Sequence, residues 1–286
     1  MTPGHPSIFR TLSASPRART LCTMDLGFGR SSAVWSNDRD RVTYERPEGH
    51  TFSLYLEGGM GTRRLDGRSV AGWPGALSFM PHGGRSEWEI TAPFAFVHLY
   101  VPADELRRVF AATFERDARL MEVPDITFAE VPHVAMHLRD LARASQVGDP
   151  LAAEAAMAGA IAELLGDARH GGRRIGAIKG GLAPYLRRRV VDYLEAHLGR
   201  SVQLRDLAGI ASLSDTHFQR AFQASHGVSP HVWITHRRVA RAKDLLRGED
   251  PIAAVALACG FSSQSHLTRA FKAATGVTPA AYRRLA

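Results

Sequence analysis

The sequence predicts an α+β protein in two parts: a small antiparallel β-barrel with attendant helices, then an all-α domain built on a duplicated unit. Three observations predict it. Short runs rich in Val, Tyr, Phe and Trp, separated by Gly and Pro, fill residues 41–101. Helical spacing of apolar residues takes over from Ala103. A stretch of 14 residues near the carboxyl end recurs 49 positions later.

Residues 1–40 lack sustained periodicity and are rich in Ser, Arg, Gly and Pro, so disorder or loose attachment is expected there. Arg10, Arg17 and Arg19 are not followed by an apolar run, so the segment does not read as a secretory signal. Strands are expected at Val42–Glu45, Thr51–Glu57, Thr62–Leu65, Ala76–Met80, Ser86–Ile90 and Phe94–Val101. Gly58-Gly59, Gly67, Pro74-Gly75 and Gly83-Gly84 supply turns between them.

Three helices follow. Ala103–Phe114 places Leu106, Val109 and Phe110 on one face; His133–Ser145 does so with Val134, Leu138 and Leu141. Leu151–Leu165 aligns Leu151, Ala155, Ala158, Ala162 and Leu165, a face suited either to a second copy of the chain or to its own core. Gly-rich, basic residues 170–183 have the composition of a linker. The expected domains are therefore 41–169 and 184–286.

Charge is unevenly spread. From Pro184 to the end there are 15 Lys and Arg against 7 Asp and Glu; the first 183 residues carry 21 of each. A compact basic module joined to a neutral one is the electrostatic footprint of nucleic-acid binding, although an anionic membrane surface would attract it too. No apolar run is long enough to span a bilayer. Two cysteines, Cys22 and Cys259, cannot form a disulfide framework, which suits a reducing cytoplasm.

The repeat overlays His217–Pro230 on His266–Pro279, with eight identical positions. Each copy reads as short helix, turn, second helix. In the first, Leu204–Ala211 precedes a turn, and Ser214 or Asp215 caps a helix ended by Gly227. In the second, Pro251–Cys259 precedes the turn, Ser262 or Ser263 is the cap, and Gly276 ends the helix. A long helix over His231–Arg247 joins them, with Val232, Ile234, Val239, Ala242 and Leu246 available for packing. Helical geometry turns Phe218, Ala221 and Phe222 inward, leaving Asp215, Thr216, Gln219, Arg220 and Gln223 outward. It likewise turns Leu267, Ala270 and Phe271 inward and Gln264, Ser265, Thr268, Arg269 and Lys272 outward. Outward Gln and Arg after a tight turn suit base edges in the major groove of double-stranded DNA. An ordinary solvated face is the competing reading, and Arg220 or Arg269 could instead cap a carbonyl or pair with an acid. His217 and His266 suit either a phosphate contact or packing on the preceding helix.

These residues resemble the AraC/XylS family of transcription regulators over about 100 residues, from near Leu186. The resemblance rests on Leu204-Arg-Asp-Leu-Ala, on Ser212 to Phe222, on Gly227-Val-Ser-Pro230, on Ile252 to Lys272, on Gly276-Val-Thr-Pro279 and on Tyr282-Arg283. It implies two recognition helices in successive major-groove segments, with base contacts from Thr216, Gln219, Arg220, Gln264, Ser265, His266 and Arg269. The Ala-rich helix after Pro251 departs from the acidic or Ile-rich start common in the family. Trp73-Pro-Gly-Ala-Leu-Ser-Phe-Met-Pro-His82 looks like a segment of the family's cupin-like sensor domain. The resemblance further implies a small effector or dimerisation as the control, RNA polymerase as a partner, and no cofactor. Trp73, Phe79, Trp88 and His98 are the candidate effector contacts if the barrel interior is a site; an ordinary core explains them equally well.

The alternative is a metal-dependent enzyme fused to a DNA anchor. It needs a His-x-His set, whereas His82 is followed only by Glu87 and His98 stands alone in a strand. Cys259, in an apolar helix, does not read as a reactive thiol, and no phosphate loop or catalytic triad pattern is present. The chain is therefore expected to bind DNA and to catalyse nothing.

Overall fold

A computed structural model describes residues 6–67, 71–166 and 180–285. The chain divides into two compact units: residues 1–103 with 122–171, and residues 104–121 with 172–286.

The first unit holds nine strands: β1 Arg19–Gly27, β2 Arg30–Asn37, β3 Asp40–Tyr44, β4 His50–Gly58, β5 Thr62–Arg64, β6 Leu77–Met80, β7 Ser86–Ile90, β8 Phe94–Val101 and β9 Ile126–Ala129. They form a six-stranded sheet in the order β1-β2-β8-β4-β6-β9 and a three-stranded sheet in the order β3-β7-β5, with antiparallel pairing throughout. The larger sheet ends at β1 and β9 and the smaller at β3 and β5. Among the described residues no ladder joins the two sheets, which corrects the expected barrel: the strands form an open pair of sheets. All six expected strands form, within a few residues of the expected ends. The two missing from the sequence reading of the N-terminus, β1 and β2, pair with each other and extend the larger sheet beyond β8.

The expectation of disorder over residues 1–40 is thereby corrected for residues 6–40. The first helix, α1 Ser7–Ala14, also lies there, with Ile8 and Leu12 buried in the same apolar cluster as Trp35, Tyr44, Trp88 and Phe96. Strand alternation was hidden because β1 exposes most of its residues and β2 buries nearly all of its own. Residues 1–5, and most of the linker expected over 170–183, lie outside the described residues.

Helix α3 Pro132–Val147 packs on β1, β2, β4 and β8, and α4 Pro150–Gly166 packs on α3. Val134, Leu138 and Leu141 face inward as expected. On α4, Ala153, Ala156, Met157, Ala160, Ile161, Leu164 and Leu165 are buried; of the face suited to a second copy or to the core, Leu165 is buried and Leu151 half-buried, while Ala155, Ala158 and Ala162 are exposed. With alanine on every side the helix has little intrinsic preference, so its largest side chains choose the buried face.

The second unit contains α2 Ala103–Thr113 from Asp104 onward, then α5 Pro184–Ala196, α6 Leu204–Ala211, α7 Asp215–His226, α8 Pro230–Leu245, α9 Ile252–Ala258, α10 Gln264–Thr275 and α11 Pro279–Leu285. Residues 104–121 were expected in the sensor part. They join the helical unit because the Arg187 guanidinium donates to the Glu115 carbonyl at 2.5 Å, and the buried Glu105 carboxylate lies 3.8 Å from His236 Nε2. No described helix is long and apolar enough to cross a membrane.

Candidate nucleic-acid interface

Each repeat unit sets a polar helix on an apolar base. Ser214 Oγ accepts from the His217 N–H at 3.4 Å, and Ser263 Oγ accepts from the His266 N–H at 3.1 Å, so a serine caps α7 and α10 alike. Gly227 and Gly276 close the two helices in the left-handed region. Phe218 and Phe222, like Leu267 and Phe271, are fully buried. The rings of Phe218 and Phe222 lie 5.7 Å apart, and Phe271 meets Tyr282 edge-on at 5.3 Å.

The two turns differ by one residue. Leu213 N–H bonds back to the Ala208 carbonyl, and Phe261 N–H to the Ala256 carbonyl, a spacing of 48 where the helices repeat at 49. Ser262 is the added residue. Its hydroxyl lies 3.1 Å from His266 Nδ1, and the same imidazole meets the Phe261 ring edge-on at 5.2 Å. His266 is therefore exposed yet held in orientation, which identical repeat letters did not reveal.

Thr216, Gln219, Arg220, Gln264, Ser265, His266 and Arg269 are all exposed. They sit on α7 and α10, three on the first and four on the second. Among the described residues, neither Arg220 nor Arg269 caps a carbonyl or pairs with an acid, and no side-chain hydrogen bond occupies Gln219 or Gln264. Asp215, His217, Gln223 and Lys272 are exposed beside them, whereas Thr268 and Ala270 are half-buried. Apart from His266, whose Nδ1 meets Ser262, the side chains of this polar row make no hydrogen bond among the described residues and stand on capped helices. Arg side chains and amides of this kind match guanine and adenine edges in their donor–acceptor pattern.

Of the residues expected to pack from the joining helix α8, Val239, Ala242 and Leu246 are buried and Ile234 is half-buried against the core; Val232 alone is not. Trp233, His236, Val239 and Ala242 form its buried face, while Val232 is exposed. Trp233 takes the position because its ring closes edge-on against Phe222 at 6.4 Å. Arg238, which carried no sequence signal, donates to two backbone carbonyls.

The four candidate effector contacts are not brought together. Trp88 and His98 line one cavity of about 30 Å³ between the sheets. Phe79 lies on the opposite face of its strand from Met80, which lines the cavity, and packs against Phe52 at 4.6 Å and His50 at 5.8 Å. Trp73 is half-buried at the edge of the core, 6.2 Å from Phe128. Burial pushes His98 down to about 3, so the imidazole is neutral. Trp35 Nε1–H donates to the Tyr100 hydroxyl, which lies 3.0 Å from His98 Nδ1, and His98 Nε2 lies 3.1 Å from Ser53 Oγ. The histidine thus completes a buried polar chain. The residues weighed as metal ligands are engaged elsewhere: His82 Nδ1 accepts from the Gly49 N–H, and Glu87 is paired with Arg41 and Arg85. Among the described residues no three His, Cys, Asp or Glu side chains converge as a metal site.

The family described as "Helix-turn-helix domain" matches residues 207–285, which include both α7 and α10. The probable transcriptional regulator LumQ of Photobacterium leiognathi is 33% identical over 93 residues, 32% of this chain and 38% of that protein. The transcriptional regulator ExsA of Pseudomonas aeruginosa is 34% identical over 93 residues, 32% of this chain and 34% of that protein. Residues 207–285 are an AraC-type helix-turn-helix domain. A solved structure of the DNA-binding domain of AdpA with target DNA is 34% identical to this AraC-type domain, covering 34% of this chain and 89% of that one, with a TM-score of 0.33. The chain spans little more than a third of the length of the curated relatives it matches. These three matches each cover about a third of this chain.

Proposed function

We propose that this protein is a sequence-specific DNA-binding transcription regulator of the AraC/XylS type, acting in the cytoplasm. The observation that carries the reading is the pair of serine-capped helices, α7 and α10, with buried aromatic or aliphatic faces and outward Gln and Arg side chains that have no side-chain partner among the described residues. Thr216, Gln219, Arg220, Gln264, Ser265, His266 and Arg269 are the proposed base and phosphate contacts. The DNA-binding unit would comprise residues 184–286 together with 104–121. The names of LumQ and ExsA as regulators support the same reading.

Control by a small effector or by dimerisation belongs to the first unit, whose cupin-like character is part of the proposal. A 30 Å³ cavity has room for about two waters, whereas small-molecule sites run to about 300–1,000 Å³. An effector would therefore have to widen the space beside Trp88 and His98. Dimerisation fits the closed interior better, and the outward Ala155, Ala158 and Ala162 of α4 offer a second copy a flat face. RNA polymerase is the partner through which a bound regulator would act.

Selection from a random duplex library with the full chain tests the central claim. A recovered consensus of two segments about one helical turn apart supports it; absence of enrichment at low salt ends it. On the recovered site, Arg220→Ala and Gln264→Ala should each cost about 1–3 kcal/mol and relax preference at one position. Equal losses on random DNA would reassign them to phosphate. Affinity should also fall by roughly 10³–10⁵ between 50 and 200 mM salt if about 6–10 phosphates are neutralised. A flat salt response would remove the electrostatic half of the reading.

A further inference from the structure

Reading two grooves at once requires that α7 and α10 be held at one separation and one rotation. Helix α8, a rod of 16 residues and about 24 Å, packs on both α7 and α10, but apolar packing is non-directional and leaves rotation to be fixed by a directional contact.

Arg238 lies in the middle of that rod. Its Nε donates to the Leu198 carbonyl at 2.9 Å and its Nη2 to the Arg200 carbonyl at 2.7 Å. Both carbonyls belong to the loop between α5 and α6, in the half that supports the first recognition helix. The guanidinium also lies over the Phe261 ring, 6.0 Å from its centroid, and Phe261 is in the turn that leads into α10. One side chain therefore touches the loop before the first unit, the joining helix and the turn of the second unit. Burial lowers its pKa, as expected for a cation drawn out of water to make these contacts.

The turn itself closes on the same point. Gly260 has φ +83°, and a Cβ there would sit 2.3 Å from the Leu198 carbonyl oxygen and 3.0 Å from the Arg238 guanidinium. A side chain at 260 would push the second unit off the loop that anchors the first. The residue pair Gly260 and Arg238 thus forms a three-way junction with no room to slide.

We propose that Arg238 is a positioning residue that sets the spacing of the two recognition helices, and hence the spacing between DNA segments that this protein accepts. The inference rests on the DNA-binding reading, but its mechanical half does not need DNA. A planar fork with two donors aimed at two carbonyls fixes orientation in a way that lysine, a point charge on a flexible stem, cannot.

Two measurements on the full chain test it. Nitroxide labels are placed at the exposed positions Gln223 and Lys272, with Cys22 replaced by Ser; Cys259 is buried and stays. The unaltered junction should give one narrow distance distribution. Arg238→Lys and Arg238→Ala should broaden it while far-ultraviolet circular dichroism is unchanged, and Gly260→Ala should shift it. Distributions as narrow in both Arg238 variants as in the parent overturn the proposal, whatever the DNA results. Should Arg238→Ala lose its helical signal, Arg238→Lys alone decides, since it keeps the charge and stem.

The second measurement uses the selected DNA site and versions with one base pair inserted or removed between its halves, a displacement of about 3.4 Å. The parent should bind the altered sites at least tenfold more weakly. Arg238→Lys should bind the native site about tenfold more weakly than the parent, the loss expected for a charge-assisted hydrogen bond. Its own penalty for altered spacing should shrink to within about threefold. An unchanged spacing penalty in a variant with a broadened distance distribution rejects the DNA consequence. Failure of the parent to select any site counts against the proposed function and leaves the distance result to judge the junction.

Discussion

Replacing Phe222 by Ala should destabilise the helical unit by about 3–5 kcal/mol, the range for removing a phenylalanine from a packed core. The side chain is fully buried. Its ring stacks on His226 at 4.2 Å and meets Phe218 at 5.7 Å and Trp233 at 6.4 Å, so no neighbour can move in to fill the gap without leaving its own partner. Against a total stability of about 5–15 kcal/mol for a domain, the loss would leave a large unfolded fraction at moderate temperature. DNA binding should fall with it. Gln223→Ala, one residue along and exposed, should stay within about 0.5 kcal/mol of the parent. Urea unfolding of the two variants gives the comparison. Equal stability of Phe222→Ala and Gln223→Ala would mean that α7 does not bury the face assigned to it.

Acid should loosen the sheet unit through His98. Its folded-state pKa is about 3, pushed down by burial, against about 6.5 in the unfolded chain. The folded state thus refuses a proton that the unfolded state accepts. Stability from this source is complete above pH 6.5 and is lost as pH falls toward 3. At pH 4 the deficit is roughly 3 kcal/mol. His98→Gln removes the titration, and the carboxylates titrate in both proteins, so the difference between their pH slopes isolates the histidine. Urea midpoints by tryptophan fluorescence at pH 7 and pH 4 should converge or cross as the pH drops. Parallel slopes would show that His98 is hydrated or already charged. In the helical unit His226, lowered to about 4 by burial and by the nearby Arg187, should add a smaller loss of the same sign.

The recognition helices were legible because two independent signals coincide on them. Phe218 and Phe222 are spaced to share a face, and the same pattern recurs at Leu267 and Phe271, which rules out accident. The strands over residues 42–101 were legible from β-branched and aromatic runs between glycines. The first 40 residues were not, because β2 is buried on both faces and so shows no alternation, and because α1 is only eight residues long. The face of α4 stays open between its two readings for a related reason: a helix of alanines carries too little amphipathic contrast to declare its orientation.

Among the candidate effector residues, Trp88 and His98 share a cavity, while Phe79 faces away from it. A one-residue change along a strand reverses the face, and sequence spacing could not show that β6 turns Met80 rather than Phe79 toward the interior.

Composition, charge asymmetry and the internal repeat determined, without coordinates, a neutral sheet-bearing part, a basic helical part and the outward row from Thr216 to Arg269. Local periodicity suffices for these because each depends only on neighbours three or four positions away. Only the tertiary structure decided that residues 104–121 join the helical unit, that the sheets stay open, and that Arg238 reaches the loop forty residues earlier. Such pairings are set by which buried surfaces and carbonyls find partners across long stretches of chain, and no local pattern records them.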